Sequence, residues 1–356
     1  MSNASPTATN SIGSAFAVDD EGFDRALEVR PFVFPDDYGP HPSYAIEWWY
    51  YTGNLTSDSG RRFGYQLTFF RNALAPESPE RTSAWATRQF YFAHFGLTDI
   101  NNEEFHAFSR QGRAAAGLAG AQASPYKVWV GPWVASSLGT DTYPVRLQAA
   151  DKEADIALDL VLEQAKPEVF QGDRGLSQKG PEAGNASYYF SATRMPSTGT
   201  VQIGDETLEV TGLSWLDREW SSGGLSDDHV GWDWFALQLD DGRDVMLGQL
   251  RREDGTVEPR SHGALVAEDG TKTYLALDDY SIEVTETWDS PRGGRYPAGW
   301  RIRVPQADLD VTVRPFVADQ ELDVETRYWE GAIEITGSAT GRGYAELVGY
   351  AAASAD

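Results

Sequence analysis

"EWWYYTGNLTSDSGRRFGYQLTFFR", Glu47 to Arg71, reads as an aromatic strand, an acidic turn with glycine, and a second strand ending Gln66-Leu67 and closing on Arg71. Aromatic residues on both sides of a Ser/Asp/Gly turn favour a β-hairpin. A second stretch, "DWFALQLDDGRDVMLGQLR", Asp233 to Arg251, repeats the plan with Trp234, an Asp241-Gly242 turn and Gln249-Leu250-Arg251. Two similar opening hairpins roughly 185 residues apart predict two similar β domains. Asp-Gly turns between apolar strands are common enough that chance hairpin chemistry is the competing reading.

The rest of the chain agrees with an antiparallel all-β protein. Turn signals such as "REDGT", "AEDGTKT" and "PRGGRYPAG" break short runs rich in Trp, Tyr, Val and Thr about every ten residues. No long stretch has helical period. Two short pieces are candidates for helix or irregular structure, "EGFDRALEV" and "SPERTSAWATRQFYFA", the latter capped by Thr82 or Ser83. Residues 1–30 read as a flexible leader without a basic start or an apolar h-region. "SSGGLSDDH", Ser221 to His229, has the composition of a connection, which divides the chain into a domain over 31–222 and another over 223–356.

Composition narrows the partners. The 356 residues carry 54 acidic against 29 basic side chains, a formal charge of -25, so nucleic acid and anionic membrane are poor partners. Such an exterior serves solubility, including solubility in salt. The chain has no cysteine, which removes thiol nucleophiles, Cys-type zinc sites and disulfides but does not fix the compartment. No run reaches the ~18 apolar residues of a membrane span. A soluble protein is expected; export with a signal already removed fits the same sequence, and localisation stays open.

Most catalytic machinery is missing. His41, His94, His106, His229 and His262 never fall at spacings that put two ligands on one strand or helix face, and no metal is expected. "SDDH", Ser226 to His229, reads as a solvated acidic loop. Nucleophile elbow, Walker loop and dinucleotide fingerprint are all absent.

What remains is a set of acids among aromatics. Alternation in an extended strand puts Glu47, Trp49 and Tyr51 on one face and Ile46, Trp48 and Tyr50 on the other. "LSWLDREWSS" divides the same way, with Trp215, Asp217 and Glu219 opposed to Leu216, Arg218 and Trp220, and Asp233 sits between Trp232 and Trp234. A carboxyl group in apolar surroundings keeps its proton toward neutrality, which suits a general acid facing an alkene, while indole faces stabilise a cation. The competing reading is a structural ion pair with Arg71, Arg218 or Arg251. His94, alone in an apolar strand, reads as a satisfied core histidine or as part of a cavity lining.

"PFVFPDDYGPHPSYAIEWWYYTGNL", "YQLTFFR", "YFAHFGLTD", "GLSWLDREWSS", the second hairpin and "GYAELVGY" together resemble the carotenoid 1,2-hydratase (hydroxyneurosporene synthase) and AttH-like family. That family is lipocalin-like and includes fungal kievitone hydratase and cyclase or Diels-Alderase relatives. The resemblance runs from about Pro31 to Tyr350 and implies two lipocalin-like antiparallel β-barrel domains side by side. It also implies a pocket for a hydrophobic isoprenoid or polyketide and, in the hydratases, cofactor-independent protonation of an alkene followed by water capture. The family's D-H-x-W block falls on Asp217, Arg218, Glu219 and Trp220, so arginine stands where the hydratases carry histidine. A Tyr-x-Asp pair of the following hairpin is replaced in the region of Val245, Met246, Leu247 and Gly248. Arginine does not exchange its proton near neutrality, so carotenoid hydration itself is the reading these two positions disfavour.

The expectation is a lipocalin-like protein, monomeric or weakly dimeric, binding a hydrophobic isoprenoid-type molecule and needing no cofactor. Its candidate acids are Asp217, Glu219 and Glu47. Its candidate pocket is formed by Trp48, Trp49, Tyr51, His94, Trp215, Arg218, Trp220, Trp232, Asp233 and Trp234. Hydratase, non-catalytic carrier and pericyclase-like cyclase all remain open at this point.

Overall fold

The computed structural model describes residues 21–76, 87–223 and 225–351. Its strands form two curled antiparallel sheets packed side by side, one of thirteen strands between Ile46 and Ser221 and one of ten between His229 and Leu347. The fold class read from the turn spacing and the family resemblance is the one observed.

The two quoted hairpins are the organising elements. Strand Ile46–Ser57 pairs with Arg62–Ala73 on one side and with Glu206–Ser221 on the other. Strand His229–Leu239 lies in the same way between Asp244–Arg252 and Gly341–Leu347. Each sheet thus joins its first strand to its last, which draws it toward a closed barrel. Both turns rest on glycine at positive φ, Gly60 at 84° and Gly242 at 87°, where a side chain would strain the backbone.

The barrels are packed inside. Trp49, Tyr51, Leu67, Phe69, Phe95 and Trp220 belong to the interior of the first, and Phe235, Leu237, Trp300, Val313 and Ile333 to that of the second. Residues 21–30, the described part of the expected leader, lie against the first barrel. Phe23 and Ala26 are buried there, and Tyr188 Oη donates to the Glu28 carbonyl at 2.9 Å. "EGFDRALEV" is a turn followed by irregular chain, not helix, because contacts made by Phe23 and Ala26 replace helical periodicity. The other helical candidate falls mostly outside the described residues, Thr82 and Ser83 included, and its end is strand Gln89–Asp99. Helical structure among the described residues amounts to three 3-10 turns, and none of it is long and apolar enough to cross a membrane.

The outer faces of the two barrels meet along a seam holding Tyr50, Tyr189, Trp215, Trp234, Met246, Ala332 and Tyr344. A buried carboxylate also fastens it: Asp244 accepts from Lys166 Nζ at 2.6 Å, Thr193 Oγ1 at 2.9 Å and Arg194 Nη2 at 2.7 Å. At Gly64 the sheets approach so closely that an added Cβ would sit 2.4 Å from Ala332 Cβ. Gly64→Val is therefore expected to destabilise the protein by about 1–3 kcal/mol through overpacking. Urea midpoints at constant m would measure this, and an unmoved midpoint would mean that the sheets are free to part there.

Candidate functional site

Strand alternation decides which of the acidic and aromatic residues meet. From Ile46–Ser57, Trp49 and Tyr51 turn into the first barrel with Glu47, while Trp48 and Tyr50 face the seam. From Glu206–Ser221, Arg218 and Trp220 turn inward, while Trp215, Asp217 and Glu219 face the seam. From His229–Leu239, Phe235 and Leu237 turn into the second barrel and Trp232 and Trp234 face the seam. The three acidic-aromatic stretches all contribute to a shared cavity of about 150 Å³. Trp48, Tyr50, Trp232 and Trp234 give it apolar walls, and Asp217, Glu219, Asp233, Glu330 and Glu346 give it carboxyl groups. The partly exposed lining residues Lys179, Leu225 and Arg260 mark its open side.

Asp217 has three hydrogen-bond partners, all neutral. Its Oδ1 accepts from Ser191 Oγ at 2.5 Å and Trp215 Nε1 at 2.7 Å, and its Oδ2 from Tyr189 Oη at 2.5 Å. Tyr189 is itself fixed by the Trp234 indole N–H at 3.2 Å. Burial pushes the carboxyl up, the three donors pull it part of the way back, and the result is a pKa of about 7. With one donor on Oδ2 and two on Oδ1, the remaining position on Oδ2 is where a proton fits.

Two further acids expected at the cavity, Glu219 and Asp233, carry cations. Glu219 pairs with Lys179 Nζ at 2.9 Å and accepts from Ser187 Oγ. Asp233 takes Arg251 Nε at 3.1 Å and Tyr350 Oη at 2.9 Å; burial raises its pKa despite both partners. The acid–arginine pairing of the first hairpin, Glu47 with Arg71, thus has its counterpart in the second.

Glu47 takes no part in the cavity. It lies inside the first barrel between Arg71 and Arg218, with the backbone N–H of His41 at 3.1 Å from each carboxylate oxygen. Burial alone would raise its pKa, but the two guanidiniums and His41 hold it far below the ordinary carboxylate range. A group so firmly ionised has no proton to give, so the general-acid role considered for Glu47 is replaced by the ion pair. Arg218 also spans the Trp49 ring at 4.0 Å and donates to the Gly39 carbonyl. Trp49, Tyr51, Arg218 and Trp220 therefore support the wall from behind. His94 is buried at another part of the seam, its Nδ1 2.8 Å from Tyr328 Oη, and burial lowers its pKa to about 4. Trp215 touches the site through its bond to Asp217.

The structure adds residues that the sequence reading passed over. Glu330 and Glu346 face each other across paired strands and both line the cavity. Each had a signal: in "YWEGAI" and "GYAELVGY" a lone acid sits within an aromatic and aliphatic strand, the pattern that singled out Glu47. Tyr189 and His262 complete the polar lining. His262 is kept neutral by burial, with a pKa of about 4. Among the described residues no group of three or more His, Asp or Glu side chains is placed to hold a metal ion. In the "SDDH" loop, His229 accepts the Ser226 N–H at 3.1 Å and points its Nε2 at Glu258, 3.5 Å away.

The AttH-like family model matches residues 25–350. A solved AttH structure from Nitrosomonas europaea is 32% identical with a TM-score of 0.81, covering 92% of this chain and 100% of its own. Kievitone hydratase from Nectria haematococca is 17% identical with a TM-score of 0.70, covering 93% and 97%. CghA, solved with Sch210972, is 13% identical with a TM-score of 0.54, also covering 93% and 97%. At those identities the last two share the fold. No curated protein matches the chain.

Proposed function

Because the chain belongs to the AttH-like family, whose fold kievitone hydratase shares, we propose that it binds a hydrophobic, isoprenoid-type molecule in the seam cavity. There it adds water across an alkene without a cofactor. The observation that carries this reading is Asp217, a buried carboxyl with three neutral donors, a pKa of about 7 and tryptophan walls around it. A general acid works best when its pKa lies near the working pH.

In this mechanism the Asp217 proton passes to the less substituted alkene carbon. The π electrons form the new C–H bond, and the positive charge falls on the tertiary carbon. The faces of Trp48, Trp232 and Trp234 stabilise that charge, as do the nearby carboxylates. Water then forms the C–O bond and loses one proton to a carboxylate of the cavity, so the sum of the steps is alkene plus water. The walls also supply affinity, at about 0.8 kcal/mol for each buried CH₂ of the ligand.

The test is incubation of the purified protein with geraniol and with an isoprenoid-rich lipid extract, in ordinary and oxygen-18 water, followed by mass spectrometry. A product heavier by one water and carrying the label is expected. Ligand released at unchanged mass and retention time would instead indicate a carrier, and an isomer of equal mass a cyclase.

A further inference from the structure

Glu330, 1% exposed, lines the seam cavity from strand Arg327–Gly337. Its Oε2 accepts from Tyr50 Oη at 2.7 Å, but its Oε1 is buried with no hydrogen-bond partner. Among the described residues that line the cavity, no other side chain holds a polar atom buried and unpartnered in this way. Glu219 and Asp233 meet Lys179 and Arg251, and Asp217 meets its three donors.

The surroundings decide what Oε1 offers. Glu346 on strand Gly341–Leu347 stands directly opposite Glu330 in register, the separation at which cross-strand side chains touch. Burial and the Glu346 charge push Glu330 well above the usual carboxylate range, and burial takes Glu346 to about 8, so both hold their protons at neutral pH. A protonated carboxyl has one O–H donor. With Oε2 accepting from Tyr50, that O–H sits on Oε1. Glu330 thus brings to the cavity an uncharged, buried donor without an acceptor, and such a group is costly to leave unpaired.

We propose that the ligand of the seam cavity carries an uncharged oxygen, as hydroxyl, ether or carbonyl, and that Glu330 recognises it by donating a hydrogen bond from Oε1. The ligand class is then an oxygenated isoprenoid, not an isoprenoid hydrocarbon. This rests on the cavity being the ligand site, as read above, and not on the addition of water. The proton stays on Glu330, and no covalent bond forms or breaks. A hydrocarbon would fill the same tryptophan walls but leave the O–H unmet, and a site built to bond a polar group of its ligand rejects the analogue that lacks it. A carboxylate at this point would repel the lone pairs of the same oxygen, so the neutral form is the one that serves.

The probes are geraniol and the diene that lacks its hydroxyl, with binding read by quenching of tryptophan fluorescence and folding of each variant by circular dichroism. Glu330→Met, of similar length but with no donor, is expected to weaken geraniol binding about tenfold and to leave the diene unchanged or bound more tightly. Glu330→Gln, whose amide N–H can donate from the place of Oε1, should keep most of the affinity for geraniol. Geraniol affinity unmoved in Glu330→Met, or lost equally for both probes, overturns the recognition while leaving the cavity as the ligand site. Failure of the wild-type protein to bind either probe removes the ligand site and this recognition together. Geraniol bound with the expected preference but recovered without labelled oxygen supports the recognition and removes hydration alone.

Discussion

Asp217→Asn is expected to eliminate alkene protonation, with a loss in kcat of about 10²–10⁴-fold and little change in KM. The amide cannot donate the proton, yet it fills the same space between Ser191, Tyr189 and Trp215. The wild-type pH profile carries the second half of this prediction. A general acid acts in its protonated form, so with a pKa of about 7 the rate should be full below neutrality and decline as pH rises through it. Circular dichroism would show that the variant is folded, and both oxygen-18 and deuterium incorporation would report the chemistry. An Asn variant with the wild-type rate would remove Asp217 from the mechanism.

Glu47→Gln is expected to behave in the opposite way, with a large loss of stability and no direct loss of a reacting group. It leaves Arg71 and Arg218 buried without their shared carboxylate, and breaking a buried pair from one side costs about 3–5 kcal/mol. The pH dependence follows from the lowered pKa. A carboxylate whose folded pKa lies below its unfolded value of 4.5 stabilises the fold above that value, and the contribution disappears as pH falls through the folded pKa. The urea midpoints of wild type and Glu47→Gln should therefore differ most at neutral pH and draw together in acid below about 4.5. Equal midpoints at pH 7 would mean that the triad contributes nothing net.

The contrast between these two acids shows what the sequence could and could not tell. Alternation correctly separated Glu47, Trp49 and Tyr51 from Trp48 and Tyr50, and Asp217 and Glu219 from Arg218 and Trp220. It did not say which of the two faces was barrel interior and which was seam, because both are lined by aromatics and both are buried. Glu47 and Asp217 therefore looked alike until the partners were known: two arginines for one, three neutral donors for the other. Glu330 and Glu346 were legible as acids in apolar strands, but their opposition depends on a pairing between strands that local spacing does not encode. The hairpin echo was more informative. It reflects two sheets in which the opening strand pairs with the closing strand, and it carries an acid–arginine pair in each.

The interior ion triad also acts as a ruler for the seam face outside the barrel. Glu47 joins Arg71 on one neighbouring strand to Arg218 on the other, so three strands are pinned at one level. A slip of Glu206–Ser221 by a single residue would rotate every side chain to the opposite face, sending Asp217 and Glu219 inward and Arg218 into the cavity. Such a slip would also separate Arg218 from Glu47 and leave Glu47 inside the barrel with Arg71 alone. The arrangement that places Asp217 at the seam cavity is thereby guarded by a contact on the far side of the same strand, and a chain that misaligns its seam face loses that contact during folding.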